Sequence, residues 1–244
     1  MDIKHGKLEE YMSKKKRILF APADDKNWEL FGKQFINSLR KFHDEGNLPF
    51  LRVDNTTNDP HFFYRAKPII ARELMKEYET VIGADIDQVI CGDISFIWNE
   101  NEYFDVGVVM NDPSYPINLW DISPDGRYYN NGLVVMQSPE FVDHWHRLCF
   151  SPHFERYQFR EQDLLNILCS DYHNYKVKWL EEKDFYGEQA KPFWAKAKMV
   201  EDKIMIGDAE LKVIHFGGGN IPNKGNFKIK FQPEVVKRIE ELIT

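Results

Sequence analysis

Two aspartates one residue apart, Asp85 and Asp87, follow the apolar run Val81-Ile82-Gly83-Ala84. On an extended chain alternate side chains point the same way, so the pair can converge on one ion. Two carboxylates at the carboxyl end of a buried strand are costly unless positive charge sits between them. A hard divalent cation carrying a diphosphate meets that need. The expectation is that Asp85-Ile86-Asp87 holds a metal and, through it, a nucleotide-sugar. A lone D-x-D also occurs as two solvated acids at a strand-end turn. Here its surroundings favour the ion: an apolar strand precedes it, and Val89-Ile90-Cys91, Gly92-Asp93-Ile94 and Ile97-Trp98 follow.

Other groups capable of chemistry are fewer. His144, His146 and Cys149 suggest zinc, but residues two apart on a helix face different ways. There is no phosphate loop, no G-x-G-x-x-G and no G-x-S-x-G. His215 taken alone reads as a hydrogen-bonded histidine at a strand end. The glycines after it, Gly217, Gly218 and Gly219, let backbone approach a phosphate closely.

The elements that must position these residues are legible in the apolar periodicity. Residues 17–21 read as a buried strand. Trp28, Phe31, Phe35, Leu39 and Phe42 recur every three or four positions, which predicts a helix over 28–43 that Gly46 ends. A strand at 50–53, a helix at 64–78 and a strand at 81–84 follow. This alternation is the pattern of a mostly parallel, nucleotide-binding α/β sheet flanked by helices. Ligands of such sheets sit beyond the carboxyl ends of the strands, where Asp24, Asp25, Asp85 and Asp87 fall. Further strands are expected at 104–110, 133–136, 177–180 and 211–216, helices at 139–150, 161–169 and 233–243, and loops at 113–127 and 217–226. No repeat or linker interrupts the chain. One domain over 1–244 is expected, with 17–110 as its nucleotide-sugar half and 111–244 completing the acceptor side.

The 244 residues are 43% hydrophobic and 14% aromatic, enough for a real core. The formal charge of −7 argues against a nucleic-acid partner, though not against a metal-held nucleotide. Three cysteines, Cys91, Cys149 and Cys169, suggest a reducing compartment and no disulfide framework. No signal-peptide core is present, and no apolar run nears the ~20 residues of a transmembrane helix. The expected location is cytoplasmic, with peripheral association to a membrane surface left open. The basic run Lys14 to Arg17 reads as a solvated entry to the first strand.

Several ordered segments carry a resemblance. Tyr64-Arg65-Ala66-Lys67, then Val81 to Asp87, then Gly92-Asp93-Ile94 resemble the retaining GT-A-fold glycosyltransferases that include glycogenin and the lipopolysaccharide galactosyltransferases. Asn130-Asn131-Gly132-Leu133-Val134-Val135-Met136, Glu161-Gln162-Asp163-Leu164-Leu165-Asn166 and Ile214-His215-Phe216-Gly217-Gly218 resemble later segments of that family, in the right order. Together they span most of the chain, and the ordered set is far more specific than any member.

The resemblance implies a GT-A fold and a set of roles. Asp85 and Asp87 would bind manganese (or magnesium) with His215 as third ligand, and the ion would bridge the donor phosphates and offset charge on the leaving diphosphate. In Ala23-Asp24-Asp25-Lys26-Asn27-Trp28, which resembles the family's first turn, Asp24 or Asp25 would take a bond from the base, Trp28 would cover its ring, and Asn27 would join them in the donor-binding set. Arg65 would touch the donor sugar or diphosphate, and Asn130 the donor sugar. Gln162 and Asp163 would lie near the anomeric carbon. An amide cannot act as a base, so Gln162 would orient or shield that centre while the leaving phosphate oxygen takes the acceptor proton. The family's Lys-Pro after His-x-x-Gly is here Ile221-Pro222, with Lys224 nearby as a substitute, and Glu161 stands where the family often has Asp.

The expected activity is transfer of a hexose from a nucleotide-diphosphate sugar, UDP-glucose or UDP-galactose first, to a hydroxyl of a glycan or lipopolysaccharide-type acceptor, with retention. One rival is a sugar-1-phosphate nucleotidyltransferase, which lacks support because no N-terminal glycine loop is found. The other is a non-catalytic relative that binds nucleotide or glycan, supported by Ile221.

Overall fold

A computed structural model describes residues 15–54, 61–98, 102–111, 122, 126–170, 173–180, 184–216 and 230–244. In chain order the elements are β1 (Lys15–Pro22), α1 (Lys33–Arg40), β2 (Phe50–Val53), α2 (Phe62–Leu74), β3 (Tyr78–Ala84), β4 (Gln88–Ile90), β5 (Val106–Met110), β6 (Tyr129–Met136), α3 (Pro139–Cys149), α4 (Glu161–Cys169), β7 (Val177–Trp179), β8 (Phe185–Tyr186), β9 (Lys198–Val200), β10 (Lys203–Ile206), β11 (Ala209–His215) and α5 (Pro233–Ile243). A helical turn, Asp25–Asn27, and a π-helical stretch, Trp28–Gly32, lead into α1.

Six strands form the central sheet in the order β2-β1-β3-β6-β5-β7. β1 lies parallel to β2 and β3, and β5 parallel to β7, while β6 runs antiparallel between β3 and β5. The sheet is therefore mostly parallel, with one reversed strand at its centre. Helices cover both faces, so the central strands are apolar on both sides, as Val81 to Ala84 are. On one face α2, α3 and α4 bury Phe62, Ile70, Phe141, Trp145 and Leu165; on the other Phe31, Phe35 and Leu39 pack with Ile97 and Trp98. Each such buried side chain contributes roughly 1.5–3 kcal/mol.

A second sheet has the order β4-β11-β10-β9, with β8 beside β11. Its Leu211, Ile214 and Phe216 pack against Val235, Ile239 and Leu242 on and around α5. Strands β8 to β10 were not expected. They are two to four residues long, and the β9–β10 turn places Glu201 at φ 55 without the Asn-Gly or Asp-Gly pair that announces such hairpins. Two boundaries also moved. The helix expected over 64–78 ends at Leu74, because Tyr78 already pairs with Lys15 in the sheet. The strand expected at 133–136 begins at Tyr129, so Asn130, Asn131 and Gly132 lie within it.

The start of β1 is solvated, with Lys15 and Lys16 exposed beside Glu77 and Glu79. The three cysteines are free and buried. Among the described residues no helix is long and apolar enough to cross a membrane.

Candidate metal and donor site

β3 ends at Ala84 and delivers Asp85; two residues on, Asp87 stands just before β4. β11 pairs antiparallel with β4 so that His215 lies opposite Gln88. The imidazole Nε2 of His215 is 3.4 Å from Asp85 Oδ2 and 3.2 Å from Asp87 Oδ1. One ligand atom from each of the three residues falls within 4.8 Å of the others, a group able to hold a metal ion. The side chains are 36%, 14% and 6% exposed for Asp85, Asp87 and His215, so the group opens to solvent on the Asp85 side.

Two features of β6 build this corner. Its pairing with β5 slips after Val108, since Val108 faces Val134 but Val109 faces Asn130. The residues between are left without a partner on β5, an irregularity of the kind common beside functional sites. The Gly132 carbonyl then accepts from Asp85 N at 2.7 Å and from Gln88 Nε2 at 2.8 Å, which fixes the D-x-D turn. A Cβ on Gly132 would lie 2.5 Å from His215 Cε1. Gly132 belongs to one of the segments that carry the resemblance but was given no role there; it makes the room His215 occupies. Gly132→Ala is expected to push the ring off the aspartates and lower Mn2+ affinity about 10–100-fold, the usual range for a disturbed ligand support. Calorimetric titration with Mn2+ reads this directly.

The group opens into a cleft of about 540 Å³ whose lining includes Asn27, Leu30, Tyr64, Lys67, Asn131 and Glu161. The basic side chain that α2 aims at the aspartates is Lys67. It is buried, and its ammonium contacts Asp85 Oδ1. Arg65 lies elsewhere, its guanidinium 4.1 Å above the Phe154 ring and 4.0 Å from Glu155. Glu161, at the start of α4, accepts from Asn131 Nδ2 at 3.0 Å. Burial pushes its carboxyl up to about 8, against the opposing pull of Lys67 and Asn131, and Asp85 adds to the rise. The folded protein keeps this proton to about pH 8, while the unfolded chain releases it near 4.5. Stability from this group is therefore fully present below 4.5 and declines as pH climbs toward 8. Thermal melts of ion-free protein across that window should show the decline, and Glu161→Gln should flatten it.

Gln162 is held on all sides. Its Oε1 accepts from Asn131 N at 3.1 Å and Asn130 Nδ2 at 3.4 Å, and its Nε2 donates to Tyr128 Oη at 3.0 Å. A flipped amide would set two donors against each other at Asn131, so this orientation is fixed. Tyr128 in turn donates to Asp163 Oδ1 at 2.6 Å, and Phe159 N donates to Oδ2 at 2.7 Å. Asp163 is fully buried and lies under the cleft instead of lining it; burial raises its carboxyl and these two bonds oppose the rise. Asn130 is also buried, and its Oδ1 accepts from Gly132 N at 2.7 Å.

At the first turn the sequence expected Asp24, Asp25, Asn27 and Trp28 to meet the donor, and of these Asn27 lines the cleft. Asp24 caps the helical run by accepting from Asn27 N at 2.7 Å. Asp25 pairs with Arg52 at 2.5 Å. The Trp28 ring folds over Gly32, stacks on Phe50 and carries the Arg52 guanidinium at 4.8 Å. The residues of this run that line the cleft are Lys26, Asn27, Leu30 and Phe31. Gly218, Lys224 and Ile221 lie outside the described residues.

No protein-family model matches the sequence, and no curated protein matches it. Solved structures do. An active-site mutant of LgtC superposes with a TM-score of 0.60 at 18% identity, covering 93% of this chain and 94% of that one. The galactosyltransferase LgtC in complex with donor and acceptor sugar analogues gives 0.58 at 18%, over 93% and 95%. A glycosyltransferase involved in glycosylation of the major capsid of PBCV-1 gives 0.59 at 9%, over 93% and 98%. The chain has the GT-A glycosyltransferase fold. At these identities the likeness speaks for the fold, and the GT-A core accounts for nearly the whole chain. In this GT-A chain the Asp-Asp-His group sits where the carboxyl end of β3 meets the second sheet.

Proposed function

We propose that the protein is a metal-dependent glycosyltransferase that moves a hexose from a nucleotide-diphosphate sugar, UDP-glucose or UDP-galactose first, to a hydroxyl of a glycan or lipopolysaccharide-type acceptor, with retention. The observation that carries this reading is the convergence of Asp85, Asp87 and His215 at a cleft in a GT-A fold. Two carboxylate oxygens and one imidazole nitrogen form a donor set suited to Mn2+, with Mg2+ as the harder alternative. A bound ion supplies Lewis acidity that neutralises charge on a departing diphosphate.

The remaining work falls to side chains. Lys67 takes the part of the basic residue at the donor, because it and not Arg65 lines the cleft. Asn27 and Leu30, on the wall nearest the first turn, receive the nucleoside. The locked Gln162 amide presents a fixed dipole beside Asn130 and Asn131, and Asp163 is a positioning residue acting through Tyr128. Glu161, kept protonated by burial, can donate a hydrogen bond to a sugar hydroxyl. With the leaving phosphate oxygen accepting the acceptor proton, no side-chain base is required, and catalysis rests on positioning and electrostatics.

Release of UDP from a panel of UDP-hexoses, with Mn2+ and with a chelator, tests the reading. Metal-dependent turnover supports it. Nucleotide binding without turnover would favour a non-catalytic relative, and synthesis of UDP-hexose from UTP and a hexose 1-phosphate would favour a nucleotidyltransferase.

A further inference from the structure

Asp85 is asked to serve two cations. Its Oδ2 faces His215 at 3.4 Å, on the side of the ion group, and its Oδ1 is held by the Lys67 ammonium. Lys67 is only 6% exposed, and its aliphatic stem crosses the backbone at Gly83, where a Cβ would meet Cδ at 3.4 Å. The side chain is therefore pinned in the wall of the cleft and is not a surface group that drifts aside. From this geometry we infer that Lys67 is a built-in counter-ion that makes metal capture conditional on the donor's diphosphate. The inference rests on the metal reading of Asp85, Asp87 and His215 proposed above.

The argument is one of charge. A site of two carboxylates and a neutral imidazole would take up a dication and finish neutral. With Lys67 fixed on the same carboxylate, the three charged side chains sum to one negative charge, and a dication leaves the site one positive charge in excess. Like charges a few ångströms apart in a partly buried site repel strongly, because little water screens them. A diphosphate bearing two or more negative charges reverses the balance, since it faces both the ion and the ammonium. Ion and donor then favour each other's binding, and by linkage the coupling is the same in either direction.

The test is Mn2+ affinity, measured as loss of the free-ion electron paramagnetic resonance signal, without nucleotide and with UDP. Wild type is expected to bind Mn2+ weakly alone and about tenfold or more tightly with UDP, within the usual range of coupling between sites. Lys67→Met, which keeps the buried stem, should bind Mn2+ alone about tenfold more tightly than wild type and lose most of the enhancement by UDP. Lys67→Gln, which keeps a hydrogen bond to Asp85 without the charge, is the companion should the first variant fold poorly, and it should behave alike. Lys67→Arg should retain the coupling. Unchanged or weaker Mn2+ affinity in both neutral variants, with enhancement by UDP intact, would overturn the counter-ion role while leaving the metal site standing. Absence of Mn2+ binding by wild type, with or without UDP, would overturn the metal reading and this inference together.

Discussion

Asp87→Asn should abolish Mn2+-dependent binding of a nucleotide-sugar and slow transfer by about 10²–10³-fold, with the melting temperature little changed. The magnitude is that of removing one strong electrostatic stabiliser of developing charge. The substitution keeps the volume and one oxygen of the side chain but deletes its charge, and one bond that ties this residue to the second sheet runs through its backbone: the Asp87 carbonyl accepts from Phe216 N at 3.2 Å. That bond survives in the variant, so the turn between β3 and β4 should hold. Calorimetry with UDP and Mn2+, alongside a thermal melt, separates loss of the ion site from loss of fold. Nucleotide affinity equal to wild type in the presence of Mn2+ would count against the site.

Asp163→Ala should act in the opposite sense, on stability before chemistry. Its carboxylate is fully buried and takes two hydrogen bonds, from the Tyr128 hydroxyl and the Phe159 amide. Truncation takes the acceptor from the buried Tyr128 hydroxyl, at roughly 1–3 kcal/mol, removes the bond to the half-buried Phe159 amide, and opens a small cavity. A loss of about 3–5 kcal/mol follows, large against the 5–15 kcal/mol of a typical domain. Tyr128 is also what aims Gln162 Nε2, so the surviving folded fraction should turn over more slowly without a change in metal affinity. Urea unfolding measures the first effect. Asp163→Asn, which retains an acceptor for Tyr128, should recover part of the stability; full stability in Asp163→Ala would remove the bracing role.

Much of this architecture was legible because its signals are local. The π-helical and α-helical run from Trp28 to Arg40 shows its apolar stripe at Phe31, Phe35 and Leu39, all buried. The strand before Asp85 is apolar because it is covered on both faces. The Asp85, Asp87 and His215 group was legible only through the order of several segments, since nothing local to His215 says that β11 will lie against β4. What stayed hidden depends on tertiary aim. Arg65 and Lys67 lie two positions apart on one helix, which sends them to different faces, and spacing alone cannot say which face meets the cleft. Likewise Trp28 and Leu30 are both apolar and close in sequence, yet Leu30 lines the cleft while Trp28 closes over Gly32. Gly132 was invisible as a site residue because its contribution is an absence of side chain where an imidazole from another sheet must fit.

The three candidate ligands come from a strand tip, a turn and the far end of β11, so more than half the chain separates the first from the last. An ion at this corner would work as a rivet between the large sheet and the small one. Because such a site exists only when these distant segments meet in the fold, the ion binds the folded state alone, and an ion concentration at 100 times the dissociation constant adds about 2.7 kcal/mol to the folded state. Loss of the ion and fraying of the small sheet then become a single event, and amide exchange in β8 to β11 should slow when manganese is added, far from any sugar.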